Sequence, residues 1–391
     1  MIAVNEALKL IEKQTSPLGT QTLSLLAARG SILASAVQSP INMPPFRQSA
    51  MDGYAIQLNG AAEYKVISES KAGDSGNLSL KSGEAVRIFT GALVPDDADT
   101  IVIQEHVERA ADKILINKLP QKGANIRPVG EQVFTGTEVL KKGTLVNEAT
   151  IGFLAGLGIQ EIEVYKKPKV GILATGNELQ EPGTPLEKGS IYESNAIMLQ
   201  AALLRLGIDD IQVFKAKDDY DQTKTAISNA LEKVDVLLIS GGISVGEYDF
   251  VKQALEENGV EEVFYKVNQK PGKPLFFGKK SDQTVFALPG NPGSSLTCFY
   301  VYVLGALRKM MGHENFNLEL KEAKITSEIK NPTGKTLFLK AIIENGKAEI
   351  LTGQASSMLN SYAISNGLVV VPETVEQINE GDSIQYLNLV F

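Results

Sequence analysis

The chain has 391 residues, 43% of them apolar, with 38 basic against 46 acidic side chains for a formal charge of −8. That length implies two or more folding units, and the acidic balance excludes a broad salt-driven nucleic-acid or anionic-membrane surface. One cysteine, Cys298, lies in the apolar stretch SLTCFYVYVLGAL; it excludes a disulfide framework or thiolate metal site and reads as a structural thiol in a buried helix.

The N-terminal MIAVNEALKLIEKQTS carries acids and lacks a basic flank before an apolar core, so it reads as an amphipathic helix rather than a signal peptide. No apolar run reaches membrane-spanning length, and a cytoplasmic location is the default expectation. Helical patterns cover residues 5–14 and 21–36, and the proline-punctuated loop SPINMPPFRQSAMDGYA follows. From about 54 to 137 short strands (EYKVI, EAVRI, TIVIQEHVE, KILINK) alternate with Gly, Pro and Asp, as in a small β domain. Residues 143–158 return to a helical pattern. These readings divide the chain into an elongated helical domain (1–50 and 138–168) interrupted by an inserted β-rich domain (51–137).

From residue 169 strands and helices alternate: KVGILA, helix 194–206, IQVFKA, helix 222–233, VDVLLIS, helix 250–258, EEVFYKV, PLFFG, TVFALP and a helix from about 293. This order predicts a three-layer α/β domain with a mostly parallel sheet over 169–315. The remainder, 316–391, is strand-like (KTLFLKAIIENGKAEIL, GLVVVPE, SIQYLNLVF) and predicts a small C-terminal β domain. The fold class is therefore multidomain α/β plus β.

Ligands of open parallel sheets sit beyond the carboxyl ends of the strands, and the unusual residues of this chain collect there. KVGILA is followed by TGNEL with Glu178, IQVFKA by Asp218-Asp219, VDVLLI by SGGISVGEYDF with Asp249, and TVFALP by GNPGSS. Asp218 and Asp219 also suit a helix N-cap, Asp249 the cap of the next helix, and Glu178 a solvated loop. Together they form an acid-rich rim beside glycine loops, the hard-oxygen setting of a Mg²⁺ and phosphate site. SGGISVG and PGNPGSS each precede a helix, where backbone amides can cradle an oxyanion. NQKPGKP adds Lys270 and Lys273 on a turn stiffened by two prolines. Neither glycine loop matches a P-loop, no serine–histidine–acid triad is evident, and the two histidines, His106 and His313, are too few for a zinc centre.

Seven motifs in order carry a family resemblance: PPFRQSAMDGYA, VRIFTGALVPDDADTIVIQE, ATGNEL, GSIYESN, SGGISVGEYDF, KPGKP and LPGNPGSS. With them the chain resembles the molybdopterin molybdenumtransferases of molybdenum-cofactor synthesis, which include the E domain of gephyrin. The resemblance implies a central domain like the molybdopterin adenylyltransferases, a β-barrel-like tail, and a homodimer in which Asp52 and Thr90 complete the partner's site. It implies Mg²⁺-dependent cleavage of adenylylated molybdopterin, release of AMP and transfer of molybdenum from molybdate to the dithiolene sulfurs. Catalytic roles fall on Asp52, Thr90, Glu178 and Asp249, and Mg²⁺ on Glu178, Asp218 or Asp219, and Asp249. Lys270, Lys273 and Ser294 are placed to hold molybdate, a tetrahedral dianion. Further substrate contacts fall on Thr175, Gly176, Ser194, Asn195, Ser240, Gly241, Gly242, Ser244, Gly246, Pro289, Gly290, Asn291, Pro292 and Lys340.

The chain departs from the family pattern where Asn177 replaces a common acid, where Gln132 ends a Gly-Glu-Asp pattern, and where a glycine stands beside Ser294 in place of valine. At 340 the family commonly has arginine; Lys340 keeps the charge and loses the bidentate fork. Two other readings remain open at this point. One is adenylyl transfer to molybdopterin, which releases pyrophosphate. The other is a non-catalytic binding or scaffold role. Other proteins of cofactor synthesis are expected partners; nucleic acid and membrane are not.

Overall fold

Two branched apolar runs after residue 169 form strands with no solvent-facing side, as their lack of polar alternation predicts. In the computed structural model, which describes residues 1–76, 78–243 and 250–390, all six residues of Val170–Thr175 and all five of Val236–Ser240 are buried. The chain forms two units, one of residues 1–21, 30–34 and 164–391, the other of 22–29 and 35–163.

In the first unit the central sheet has the order Ile211–Ala216, Val170–Thr175, Val236–Ser240, Gln283–Leu288, Phe276–Lys280, Glu261–Tyr265. The first four strands run parallel, and the last two pairings, of Gln283–Leu288 with Phe276–Lys280 and of Phe276–Lys280 with Glu261–Tyr265, are antiparallel. Successive residues serve opposite faces: Ile172 and Leu238 join one core with Leu199, Leu203, Phe299 and Leu307. Leu173 and Leu237 join a second core with Ile227, Leu231, Val251 and Leu255. Helices therefore cover both faces, and the three-layer expectation holds. The register pairs Thr175 with Ala216, Ala174 with Ser240, and Ser240 with Leu288, so four carboxyl ends share one edge. The N-terminal helix Val4–Gln14 adds Val4, Ala7 and Ile11 to the first core.

The tail closes into a barrel. Thr336–Glu344, Lys347–Ile350, Leu320–Ile325, Ser383–Asn388 and Gly367–Val371 pair in that order, and Gly367–Val371 pairs back with Thr336–Glu344. Period-two alternation sends Leu337 and Ala341 into the barrel core and leaves Lys340 on the other face.

The second unit holds a six-stranded sheet: Thr100–Ile103, Gly53–Ile56, Glu84–Ile88, Glu63–Ser70, Lys113–Ile116, Val107–Ala110. Only Glu63–Ser70 and Glu84–Ile88 pair in parallel. Its helix Glu148–Gly156 begins at Asn147, whose side chain accepts the Thr150 amide at 2.9 Å.

One helix expectation fails. Residues 21–36 are not helical: Thr20–Ser24 is a strand of alternating exposure, followed by turns that end at Gly30 with φ +75°. The apolar spacing of LSLLAARG resembles a helix, but only one such turn closes, the Ala28 amide donating to Ser24 at 2.9 Å. Two threonines favour extended backbone before it, and the glycine ends it after fewer than two turns.

Candidate functional site

The carboxyl edge of the parallel sheet opens into a cavity of about 640 Å³ whose wall includes Thr175, Gly176, Glu178, Ser194, Asn195 and Asp218. Ser240, Gly241, Gly242, Pro289, Gly290, Asn291 and Pro292 complete the part of the wall named by the motifs. Thirteen of the expected residues thus meet around one space.

Two links fix the rim. The Asn195 side-chain amide donates to Ser240 Oγ at 2.8 Å and to the Gly290 carbonyl at 2.7 Å, tying a helix start to two strand ends. Its Oδ1 is buried and has no partner among the described residues. Across the rim, the Asn177 amide donates to Asp218 Oδ2 at 3.0 Å while the Asp218 amide donates to Asn177 Oδ1 at 3.2 Å. This reciprocal pair explains how an amide serves at 177: its carbonyl oxygen locks the neighbouring loop, and Asp218 keeps its second oxygen.

The neighbouring acids divide. Asp218 lines the cavity, whereas Asp219 caps helix Tyr220–Leu231 and accepts the Gln222 amide at 2.9 Å. Glu178 is exposed at the rim, and its backbone carbonyl accepts the Ile191 amide at 2.8 Å. That bond belongs to a small flap, Leu179–Gln180 paired in parallel with Ile191–Tyr192, which supplies an apolar wall. The Tyr192 hydroxyl steadies the flap by donating to Thr184 at 2.8 Å. Sequence reasoning missed Leu179, Ile191, Tyr192, Glu193, Ile243, Pro274 and Ser357, all on the cavity wall. The motif GSIYESN held the signal for three of them.

Two amides of the glycine loops expected to cradle an oxyanion are engaged within the protein. The Gly241 amide donates to the Leu288 carbonyl at 3.2 Å and the Ser294 amide to Ser356 at 3.2 Å, so both are already engaged. Gly241 is needed for space instead: with φ +96°, a Cβ there would lie 2.9 Å from Thr175 Oγ1 and 3.0 Å from its carbonyl oxygen. Ser244, Gly246 and Asp249 fall outside the described residues.

Lys270 and Lys273 are exposed and absent from the cavity wall, although Pro274 of the same turn reaches it. Ser294 is buried. Lys340 is only 2% exposed and does not face the cavity; its ammonium donates to the carbonyls of Gly353 at 2.8 Å and Met358 at 3.0 Å. Burial depresses its pKa. It holds the loop that brings Ser357 to the cavity and Ser356 to Asn291, 3.0 Å away.

Asp52 and Thr90 belong to the other unit. The Thr90 amide and hydroxyl both donate to one Asp52 oxygen at 2.8 Å. The amide bond, then the hydroxyl bond, hold the carboxyl below its usual range. Arg87 stacks between Tyr54 and Phe89, 5.0 and 4.8 Å from their ring centres, and donates to the Gly53 carbonyl at 3.1 Å.

Among the described residues no cluster of three or more His, Cys, Asp or Glu side chains forms a metal centre, and no helix is long and apolar enough to cross a membrane. Three acids line the cavity, Glu178, Glu193 and Asp218; Glu193 accepts the Ala196 amide at 2.7 Å, which leaves Glu178 and Asp218 as donors for Mg²⁺, an ion that usually takes one or two protein carboxylates and completes its shell with water and substrate phosphate oxygens. The donor set fits that ion.

Comparison with known proteins covers the whole chain. A profile of the MoeA N-terminal region (domain I and II) matches residues 2–158, a probable molybdopterin binding domain matches 171–309, and a MoeA C-terminal region (domain IV) matches 322–389. The molybdopterin molybdenumtransferase of Haemophilus influenzae is 35% identical, over 96% of this chain and 95% of that protein. Molybdopterin molybdenumtransferase 2 of Mycobacterium tuberculosis is 34% identical over 100% of both. A crystal structure of a molybdopterin biosynthesis protein from Pyrococcus horikoshii matches with a TM-score of 0.86 at 31% identity, covering 100% of each chain.

Proposed function

The chain belongs to the molybdopterin molybdenumtransferase family and is a transferase of molybdenum-cofactor biosynthesis, and we propose that the sheet-rim cavity is where adenylylated molybdopterin meets molybdate. The observation that carries this reading is the joint placement of Glu178 and Asp218 with Thr175, Ser240 and Asn195 around one cavity.

Within it, Glu178 and Asp218 hold Mg²⁺, joined by Asp249; the ion neutralises phosphate charge when bound. Asp219 is left to its cap. The Asn177–Asp218 pair keeps the Asp218 carboxylate turned to its task, and Asn195 joins the loops that carry Ser240 and Gly290. The apolar flap of Leu179, Ile191 and Tyr192 excludes water from one side of the substrate. Lys270, Lys273 and Ser294 attract molybdate. The chain needs no protein nucleophile: water, or a molybdate oxygen whose adenylyl ester is then hydrolysed, attacks the adenylate phosphorus, molybdopterin phosphate is the leaving group and AMP results. As the two dithiolene sulfurs bind molybdenum, their two protons and one molybdate oxide leave as water.

The same reading includes a central domain of adenylyltransferase type, a homodimer, a cytoplasmic location, and a role for Asp52 and Thr90 in the reaction. It divides the chain at 50/51, 137/138, 168/169 and 315/316. Family matches that end at 158 and 309 and resume at 171 and 322 support the last two boundaries.

The test is to incubate the purified chain with adenylylated molybdopterin, Mg²⁺ and molybdate, and to follow AMP and cofactor. AMP release that requires both ions and disappears in Asp218→Asn and Asp249→Asn supports the assignment. Tight substrate binding without AMP release, or release of pyrophosphate from molybdopterin and ATP, rejects it.

A further inference from the structure

Gln269 is a polar side chain only 1% exposed, beside a largely apolar core that includes Cys298, Phe299 and Tyr302. Burial of an amide is costly unless every polar atom is paired, so its partners show what it does. The Gln269 side-chain nitrogen donates to the carbonyls of Pro271 at 3.0 Å and Gly272 at 3.2 Å, and lies 3.6 Å from Cys298 Sγ. Those carbonyls belong to the turn between Lys270 and Lys273. Carbonyls only accept, so the amide must present its nitrogen to them, and its oxygen takes the hydroxyl of Tyr302.

Strand alternation sets this up. The short strand Gln269–Lys270 pairs in parallel with the barrel strand at Thr336 and Leu337, turning Gln269 into the core and Lys270 outward. On the other side, the helix Pro292–Cys298 widens into a π-helical turn, Phe299–Val303, before resuming as Leu304–Met310. π turns are rare and recur at functional sites. Tyr302 lies in this wide turn, 1% exposed, with its hydroxyl on Gln269. Cys298, at the end of the preceding helix, donates to the Gly272 carbonyl at 3.6 Å. The fit leaves no slack: with φ +88°, a Cβ on Gly272 would lie 2.6 Å from Cys298 Sγ and 2.9 Å from the Gln269 amide nitrogen.

We propose that Gln269, anchored by Tyr302 of the π turn, is a positioning residue that fixes the Lys270–Lys273 turn for oxyanion capture. A leucine or methionine at 269 fills about the same volume but leaves the Pro271 carbonyl without its donor and the Gly272 carbonyl with only the weak Cys298 thiol, so the middle of the turn loses its strongest tie. The inference rests on the proposed role of the two lysines toward molybdate.

The experiment compares Gln269→Met and Tyr302→Phe with Lys270→Ala and Lys273→Ala in the full-length enzyme. Loss of one or two such bonds predicts a molybdate KM raised about fivefold in Gln269→Met and less in Tyr302→Phe, with the KM for adenylylated molybdopterin unchanged. A second readout does not depend on activity. The Val267 and Leu275 amides both donate to the Lys273 carbonyl at 3.0 Å, so hydrogen exchange in peptide 267–275 speeds up in Gln269→Met. Unchanged exchange overturns the inference. So does an unchanged molybdate KM in Gln269→Met when the lysine variants raise theirs, or an equal loss in all kinetic parameters. If the lysine variants themselves leave molybdate KM unchanged, the assignment of the turn to molybdate fails, and the positioning role is decided by the exchange result alone.

Discussion

Gly241 and Gly290 stand on the same cavity wall, and the structure predicts opposite responses to one added methyl group. At Gly241 the backbone is left-handed, φ +96°, and a Cβ would meet Thr175 Oγ1 at 2.9 Å and its carbonyl oxygen at 3.0 Å. A side chain in a sparsely populated backbone region costs about 1–3 kcal/mol, and forcing a methyl into packed atoms costs about 1–3 more. The lower entropy of an unfolded chain with alanine offsets about 0.4–1 kcal/mol. Gly241→Ala should therefore lose about 1–5 kcal/mol. Alternatively, the loop moves off Thr175 and deforms the cavity. At Gly290 the nearest atom to an added Cβ is Gly241 Cα at 3.6 Å, an ordinary contact, and Gly290→Ala should stay within about 1 kcal/mol of the parent. Urea unfolding followed by circular dichroism, together with titration by adenylylated molybdopterin, reads both outcomes. If Gly241→Ala is as harmless as Gly290→Ala in stability and in binding, steric crowding against Thr175 is not the reason for glycine there.

Two further predictions test the division of labour among the acids. Asp219→Ala should cost about 1 kcal/mol in urea unfolding, the worth of a helix cap, and leave the Mg²⁺ dependence of AMP release unchanged; Asp218→Asn should do the reverse. Asp52 has its pKa lowered by the Thr90 amide and hydroxyl, so its contribution to stability is present above the unfolded value and is lost as pH falls through the folded value. Thr90→Val removes the hydroxyl bond and should raise the Asp52 pKa toward the ordinary carboxylate range, as read from a carbon-detected NMR titration of the side chain; an unmoved titration would show that the backbone amide alone sets it.

The order of strands and helices after residue 169, the acid-bearing rim and the buried thiol were all readable in the sequence, because each depends on local pattern. Unbroken apolar runs mark strands covered on both faces, and motifs placed at strand ends necessarily share one edge of a parallel sheet. Residues 21–36 misled because apolar spacing is common to a helix and to a chain reversal, and tertiary pairing chose the latter. The choice between Asp218 and Asp219 was equally beyond sequence. Adjacent carboxylates are chemically identical, and only the hydrogen bonds to Asn177 and Gln222 separate the cavity-lining acid from the helix cap. Lys340, Gln269 and Tyr302 show the same limit more sharply. Sequence supplies a lysine in a strand, a glutamine before a lysine-proline turn and a tyrosine in an apolar helix. Their burial at 2%, 1% and 1% exposure arises from packing between segments remote in sequence, such as Tyr302 on Gln269, even where the carbonyls satisfied, those of Pro271 and Gly272, lie two or three residues away. Such packing has no local signature, which is why composition and motif marked the residues of the rim while packing alone decided which polar groups face the cavity and which hold the loops around it.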